Sequence, residues 1–452
     1  MLNKKKIRKC FIILFWLLVW SGLAMAVNNQ ILLASPIDTF RGLLEILGEE
    51  ECYLTVGRSV LRIGCGFLAG VGAALSLAVG SYKFSWLEEL IAPVMNLMKT
   101  VPAASFVVLF LIWWGSSFLS VAICFLVVAP NIYINVLEGL KSLDGQLLEM
   151  AGVFRLSFWN RFFYIFRPAL KPFLVSSLKI SLGMCWKSGV AAEVIGTPDF
   201  SIGERMYLSK VYLDTAGLFA WTVVTVLLSV LFEKIILRAA GVFFAWEPYC
   251  KEQLPFGIAQ GKRGADTGSE GERKGDIKCR NIVKKYGDTL VLNRVNEVYE
   301  QGKTYYLTAP SGSGKTTLLR ILAGLETPDG GSVEASFACG MVFQEDRLCE
   351  DYSAVKNVEL VTGNRLQAEE ALLALLEQDA LGKPCSQLSG GMKRRVALAR
   401  ALESKSSYLL LDEPFTGMDA GTRKRAEEYI RNRQRGRTLI IATHIGETVG
   451  EA

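Results

Sequence analysis

Histidine is almost missing from this 452-residue chain, which has a single one, His444, and its ten cysteines are scattered with no C-x-x-C pair among them. Neither a zinc site nor a disulfide framework is expected from that usage. The thiols read instead as small buried hydrophobes in a reducing compartment. Charged residues are also scarce, 21% against 51% apolar, which excludes a disordered or collagen-like protein. The net charge of +6 is not arranged as a basic stripe interleaved with aromatics, so nucleic acid is not an expected partner.

What is abundant is apolar sequence, and it is unevenly spread. The length suits two to three domains at roughly 100 to 200 residues each. Up to about residue 247 the chain reads as long apolar runs, and from 277 to 452 as an ordinary soluble α/β pattern. Residues 248 to 276 between them are rich in glycine and in charges of both signs, the composition of a flexible linker. The expected fold class is an all-α polytopic membrane domain of about six transmembrane helices followed by an α/β P-loop NTPase domain.

A helix needs about 20 apolar residues to cross a bilayer core. Such stretches lie near residues 10 to 27, 59 to 80, 91 to 113, 117 to 137, 173 to 192 and 216 to 237. The first follows a basic cluster and also has the features of a cleavable signal peptide, but Trp16 and Trp20 inside a long run favour an uncleaved anchor. Lys and Arg concentrate at the N-terminus, between spans four and five and after span six, which predicts that both ends of this half face the cytoplasm. Gly66, Gly70, Ala74 and Ala78 form a small-residue stripe for close helix packing. Lys99, Lys187 and Glu193 each lie near enough to a span end to snorkel, and a role in a pathway is the second reading.

In the soluble half, a strand over Tyr305, Tyr306 and Leu307 leads into Ala309-Pro310-Ser311-Gly312-Ser313-Gly314-Lys315-Thr316-Thr317 and then an amphipathic stretch. In a P-loop the backbone N–H groups cradle phosphates at a helix N-terminus, the lysine reaches the β/γ oxygens and the hydroxyl binds Mg²⁺. Lys315 and Thr316 take those positions. Further on, Tyr408 to Asp412 reads as a buried strand ending in two carboxylates, Asp412 placed to hold Mg²⁺ and Glu413 to orient or deprotonate the attacking water. His444 follows another strand, Thr438 to Ala442, where it can contact a γ-phosphate.

This ordered set, with Gln344 in Met341-Val342-Phe343-Gln344 and Leu388-Ser389-Gly390-Gly391-Met392 between the P-loop and Asp412, resembles the ABC transporter ATPase family over 277–452. The resemblance implies ATP and Mg²⁺ as ligands. By it Tyr286 stacks on adenine, Gln344 senses Mg²⁺ and the membrane half, Asp419 is the D-loop aspartate and His444 the switch histidine. It also implies that Ser389, Gly390 and Gly391 close over ATP held by the P-loop of a second copy, hence a homodimer. Ala309 in place of the first P-loop glycine, Met392 in place of the usual glutamine, a short stretch before Gln344 and few residues after His444 depart from the family.

The membrane half resembles the permeases of nitrate, sulfonate and taurine ABC importers, through Ser59-Val60-Leu61-Arg62, Val101-Pro102-Ala103-Ala104, Ala191-Ala192-Glu193 and Ile202-Gly203. Glu149-Met150-Ala151 within 149–172 resembles the family's cytoplasmic EAA loop, whose short helix docks on the ATPase near the Q-loop. Arg155 stands where that loop normally has glycine, and Arg167 where leucine is usual. The resemblance implies ATP-driven import of a small solute across the cytoplasmic membrane, with a separate extracytoplasmic binding protein. Nitrate, a sulfonate, a thiamine precursor and a riboflavin-like compound stay open as cargo. A membrane-bound ATP-binding sensor or scaffold is the alternative from another class, and an exporter is a weaker third.

Overall fold

The computed structural model describes residues 2–29, 31–246, 275–310, 312–335 and 339–443. They group into two compact units, Met1–Ser142 with Ala169–Trp246, and Leu143–Pro168 with Glu247–Ala452. The expected linker, apart from Gly275 and Asp276, lies outside the described residues.

The first unit is helical: α1 (Leu2–Val27), α2 (Pro36–Gly48), α3 (Glu50–Lys83), α4 (Ser85–Thr100), α5 (Ala103–Trp114) and α6 (Ser116–Lys141) come first. After α7 (Gly145–Val153), α8 (Phe158–Arg161) and a π-helical turn (Phe162–Phe166), which belong to the second unit, the first resumes with α9 (Arg167–Gly196), α10 (Ile202–Val211) and α11 (Thr215–Ala245). Among the described residues α1, α3, α6 and α11 are long and apolar enough to cross a membrane. The third expected span, 91 to 113, is not one straight helix. It falls on α4 and α5, which meet at 106°, because Pro102 holds Val101 in an extended conformation and has no N–H to continue the helix. The fifth expected span lies within α9, one continuous helix of 30 residues, whose serines and lysines make it less apolar than the other four.

The small-residue stripe does what its spacing predicts. A Cβ on Gly66 would stand 2.5 Å from the Val121 carbonyl oxygen and one on Gly70 3.0 Å from Val128 Cβ, so α3 lies directly against α6, with Ala74 and Ala78 fully buried beside them. Glu193 corrects an expectation. It does not snorkel but is fully buried, accepting from Ser59 Oγ at 2.7 Å and from the Gly203 N–H at 3.3 Å, with Arg62 Nη1 at 3.8 Å. Ser59 in turn accepts from the Ile202 N–H, so one carboxylate ties α3, the end of α9 and the start of α10. Lys99 and Lys187 are exposed.

The second unit contains two sheets. β1 (Ile277–Tyr286), β2 (Thr289–Tyr299) and β4 (Gly330–Glu334) pair antiparallel in the order β2-β1-β4. β3 (Thr304–Thr308), β5 (Cys339–Val342), β6 (Tyr408–Asp412) and β7 (Thr438–Thr443) form a parallel sheet in the order β3-β7-β6-β5. Every residue of β5, β6 and β7 is buried, as continuous apolar runs in a helix-covered parallel sheet require. The helices are α12 (Lys315–Leu322), α13 (Ala354–Thr362), α14 (Arg365–Leu373), α15 (Gln378–Leu381), α16 (Gly390–Leu402) and α17 (Ala420–Arg433). Cys52, Cys65, Cys124, Cys185, Cys279, Cys339, Cys349 and Cys385 are free thiols, and all but Cys65 are buried. Burial pushes Cys349 up to about 11 and Cys385 to about 12, which keeps both in the unreactive thiol form.

Gly66→Ala is expected to destabilise the protein by about 1–3 kcal/mol by forcing α3 off α6. Gly72→Ala on the same helix, where a Cβ meets nothing within 4 Å, serves as the neutral control. Fluorescence-monitored melting in detergent checks the pair, and equal melting points would contradict the close approach.

Candidate functional site

The site is assembled where β3 and β6 end. The turn after β3 carries Gly312 and Gly314 at φ +83° and +87°, left-handed values that side-chain-bearing residues adopt at a cost. At Gly314, the N-cap of α12, a Cβ would also lie 2.8 Å from Leu292 Cδ2 and 2.9 Å from Val291 Cγ1, so β2 closes on this loop. Ala309 has no left-handed φ, and its methyl group in place of glycine therefore costs no backbone strain. Lys315 Nζ curls over the loop and donates to the Ala309 and Pro310 carbonyls. Ser311 and His444 lie outside the described residues.

Beneath Lys315 and Thr316 sits Asp412, 1% exposed. Its Oδ2 is buried with no hydrogen-bond partner. Burial raises the carboxyl above its ordinary range against the opposing hydrogen bond from Thr316 and the positive charges of Arg394 and Lys315. A hydroxyl and a carboxylate side by side, with one buried oxygen unsatisfied, are the donors a hard divalent cation takes. Glu413, next in the chain, is half-buried and has φ +49°, an uncommon conformation for a residue that is not glycine.

The remaining expected residues fall around this centre. Tyr286 ends β1 as a half-exposed ring, with Lys284 Nζ 5.5 Å from its centroid and a hydroxyl bonded to Glu326. Gln344 is exposed just after β5. Ser389 caps α16, accepting from the Met392 N–H, and Ser389 and Gly390 are exposed. Gly391 lies so close to Gly417 that a Cβ would meet the Gly417 oxygen at 2.7 Å. Asp419 caps α17 through the Thr422 N–H at 2.9 Å, a bond that holds its carboxyl below the ordinary range.

The segment Leu143–Pro168 belongs to the same compact unit. Arg320, from α12, clasps Glu149 of α7 with both Nη atoms, at 3.1 and 3.0 Å, and Arg347, three residues after Gln344, adds a third bond at 2.6 Å. Burial pushes Glu149 upward, but the two guanidinium groups outweigh it and leave the carboxyl below its ordinary value. Arg155, expected from the resemblance to replace a glycine, has a left-handed φ of +49°. Its N–H and that of Leu156 close the end of α7 by donating to Gly152 and Ala151. Arg400 lies over the Phe154 ring at 5.2 Å, and Tyr164 meets Tyr352 edge-on at 5.0 Å.

Arg320, Arg347 and Arg394 escaped the sequence reading, since arginines in charged stretches look like solvated surface. For Arg394 a signal existed: it shares a helical face with Ala397, Leu398 and Ala401, all buried.

Because the folded state binds the Asp412 proton more tightly than the unfolded chain does, stability falls as pH rises from the ordinary carboxylate range through the raised value. Asp412→Asn is expected to remove that slope and to stabilise the nucleotide-free protein at neutral pH by about 1 kcal/mol. Melting curves across pH check it, and an unchanged slope would contradict the burial argument.

Both halves of the chain match known protein families. Residues 292–416 match the ABC transporter family, and residues 66–239 match the binding-protein-dependent transport system inner membrane component family. An aliphatic sulfonates import ATP-binding protein of Rhodococcus jostii is 42% identical over 36% of this chain and 70% of its own length. A Nod factor export ATP-binding protein of Burkholderia orbicola is 38% identical over 38% of this chain and 63% of its own. A sulfate/thiosulfate import ATP-binding protein of Bradyrhizobium diazoefficiens is 40% identical over 37% and 56%. The chain thus spans between about half and about two thirds of these relatives. It belongs to the ABC transporter family, a membrane protein that joins a binding-protein-dependent permease domain to a nucleotide-binding domain hydrolysing ATP for transport.

Proposed function

We propose that the chain is one protomer of a homodimeric ABC importer, with the permease over 1–247, a linker over 248–276 and the ATPase over 277–452. The membrane half is multi-pass, and both termini and the ATPase face the cytoplasm, as the Lys and Arg distribution predicts. The reading rests above all on Glu149, one carboxylate held at once by the helix that starts at the P-loop and by the stretch following Gln344. A signal arising at the nucleotide therefore has two routes to the segment that runs into α9.

In this mechanism the N–H groups of Ser311, Gly312, Ser313 and Gly314 cradle the phosphates, Lys315 reaches the β/γ oxygens, Thr317 supports the loop and Tyr286 stacks on adenine. Thr316, Asp412 and Gln344 would hold Mg²⁺, which would supply positive charge against the charge developing on the phosphates. Glu413 takes a proton from water as the water oxygen bonds to the γ-phosphorus and the bond to the ADP oxygen breaks. His444 contacts the γ-phosphate. Exposed Ser389 and Gly390, with Gly391 and Asp419, close over the nucleotide of the second copy, so each site needs both protomers.

The cargo is a small oxyanion of the sulfonate or sulfate class. Two of the relatives import aliphatic sulfonates or sulfate and thiosulfate, and the permease-type domain supports import with a separate binding protein. The sensor alternative loses support from the backbone at Ala309 and from Met392, whose N–H is capped as the helix start requires.

Glu413→Gln is expected to lower ATP turnover in nanodiscs by about 10²- to 10⁴-fold, the usual contribution of a general base, with ATP binding retained. Unchanged turnover would remove Glu413 from the mechanism. Glu149→Lys is expected to abolish uptake of radiolabelled taurine or sulfate by cells while ATP turnover persists, the signature of a broken linkage. Uptake at the parental rate would show that Glu149 carries no signal.

A further inference from the structure

Arg394 is 3% exposed, yet among the described residues only one of its hydrogen-bond acceptors, Asp346 Oδ1 at 3.2 Å, belongs to a charged group. The others are backbone carbonyls from two separate loops. Nη1 donates to Phe343 and Gln344, Nη2 to Asp412 and Glu413, and Nε again to Glu413 at 3.2 Å. A guanidinium withdrawn from water and spent on main-chain oxygens is a costly way to hold a helix in place. What it holds is the strained residue. The left-handed φ of Glu413 persists only where its surroundings over-determine it. Its N–H donates to Ala442 at 3.0 Å, and its carbonyl accepts from Arg394 and from the N–H and hydroxyl of Thr416. Thr416 belongs to the same turn and moves with it. Arg394 anchors the Glu413 carbonyl from outside that turn.

We infer that Arg394 is a positioning residue for ATP hydrolysis, which fixes the backbone of Glu413 so that its carboxylate meets the attacking water, and which ties that geometry to Gln344 and to the helix begun by Ser389. The inference rests on the reading of Glu413 as the general base. Arg394 holds the Asp412 and Gln344 backbones by their carbonyls but has no hydrogen bond to the phosphate loop or to Tyr286, so its loss lowers the chemical step and leaves the groups that bind the phosphates and the adenine in place.

The test uses the full chain in nanodiscs with Arg394→Met, Arg394→Lys, Glu413→Gln and the double variant Arg394→Met/Glu413→Gln. Arg394→Met lowers kcat by about 100-fold, the scale of a misplacement of about 1 Å, with KM for ATP nearly unchanged. Arg394→Lys, which keeps the charge but cannot fork between the two loops, gives an intermediate kcat and stands alone should the Met variant fail to fold. In the double variant the loss equals that of Glu413→Gln, because the two act as one unit. Losses that multiply, kcat and KM changing together, or an undiminished kcat beside an inactive Glu413→Gln would overturn the inference and leave Glu413 as the base. Active Glu413→Gln would overturn the base assignment and this inference with it.

Discussion

A carboxylate at the tip of a strand buried on both faces has to find its partners at that tip, and Asp412 is in that position. β6 lies between β5 and β7, and Asp412 pairs in register with Ala442, so the strand leaves no solvent for its last side chain. Thr316, Lys315 and Arg394 converge on the same point from the P-loop and from α16. A buried charge that is incompletely satisfied destabilises the resting fold, and a cation that satisfies it gains affinity from the same defect. The local instability of the nucleotide-free site and its capacity to bind are one property.

The same tip organises the rest of the soluble unit. Arg394 joins the carbonyls of Asp412 and Glu413 to those of Phe343 and Gln344, and Arg400, two turns along α16, donates to the Asp346 and Arg347 carbonyls while covering Phe154. Arg347 then reaches Glu149. Nucleotide loop, helix and the Leu143–Pro168 segment are thus connected through charge-assisted hydrogen bonds, which are directional and stronger than neutral ones.

In the membrane-type unit the same economy recurs with different chemistry. Gly66 and Gly70 let backbones touch, while Glu193, Ser59 and Arg62 fasten three segments through a buried polar cluster. In apolar surroundings such a cluster is held together because separation would strand each member.

The sequence alone determined the order of the elements, the P-loop, the carboxylate pair and the long apolar helices, because each is written in local spacing: a 3.6-residue period, a buried run of five, two glycines before a lysine. It also located the Glu149 segment through resemblance. Tertiary structure alone decided which charges are inside. Glu193 and Arg394 look from the sequence like a snorkelling acid and a surface base, and both are buried because distant backbone and side-chain partners receive them. It also decided the break of the third span, where Pro102 acts on a segment whose composition reads as unbroken. Burial of a polar group depends on partners remote in the chain, and no local pattern records where they will come from.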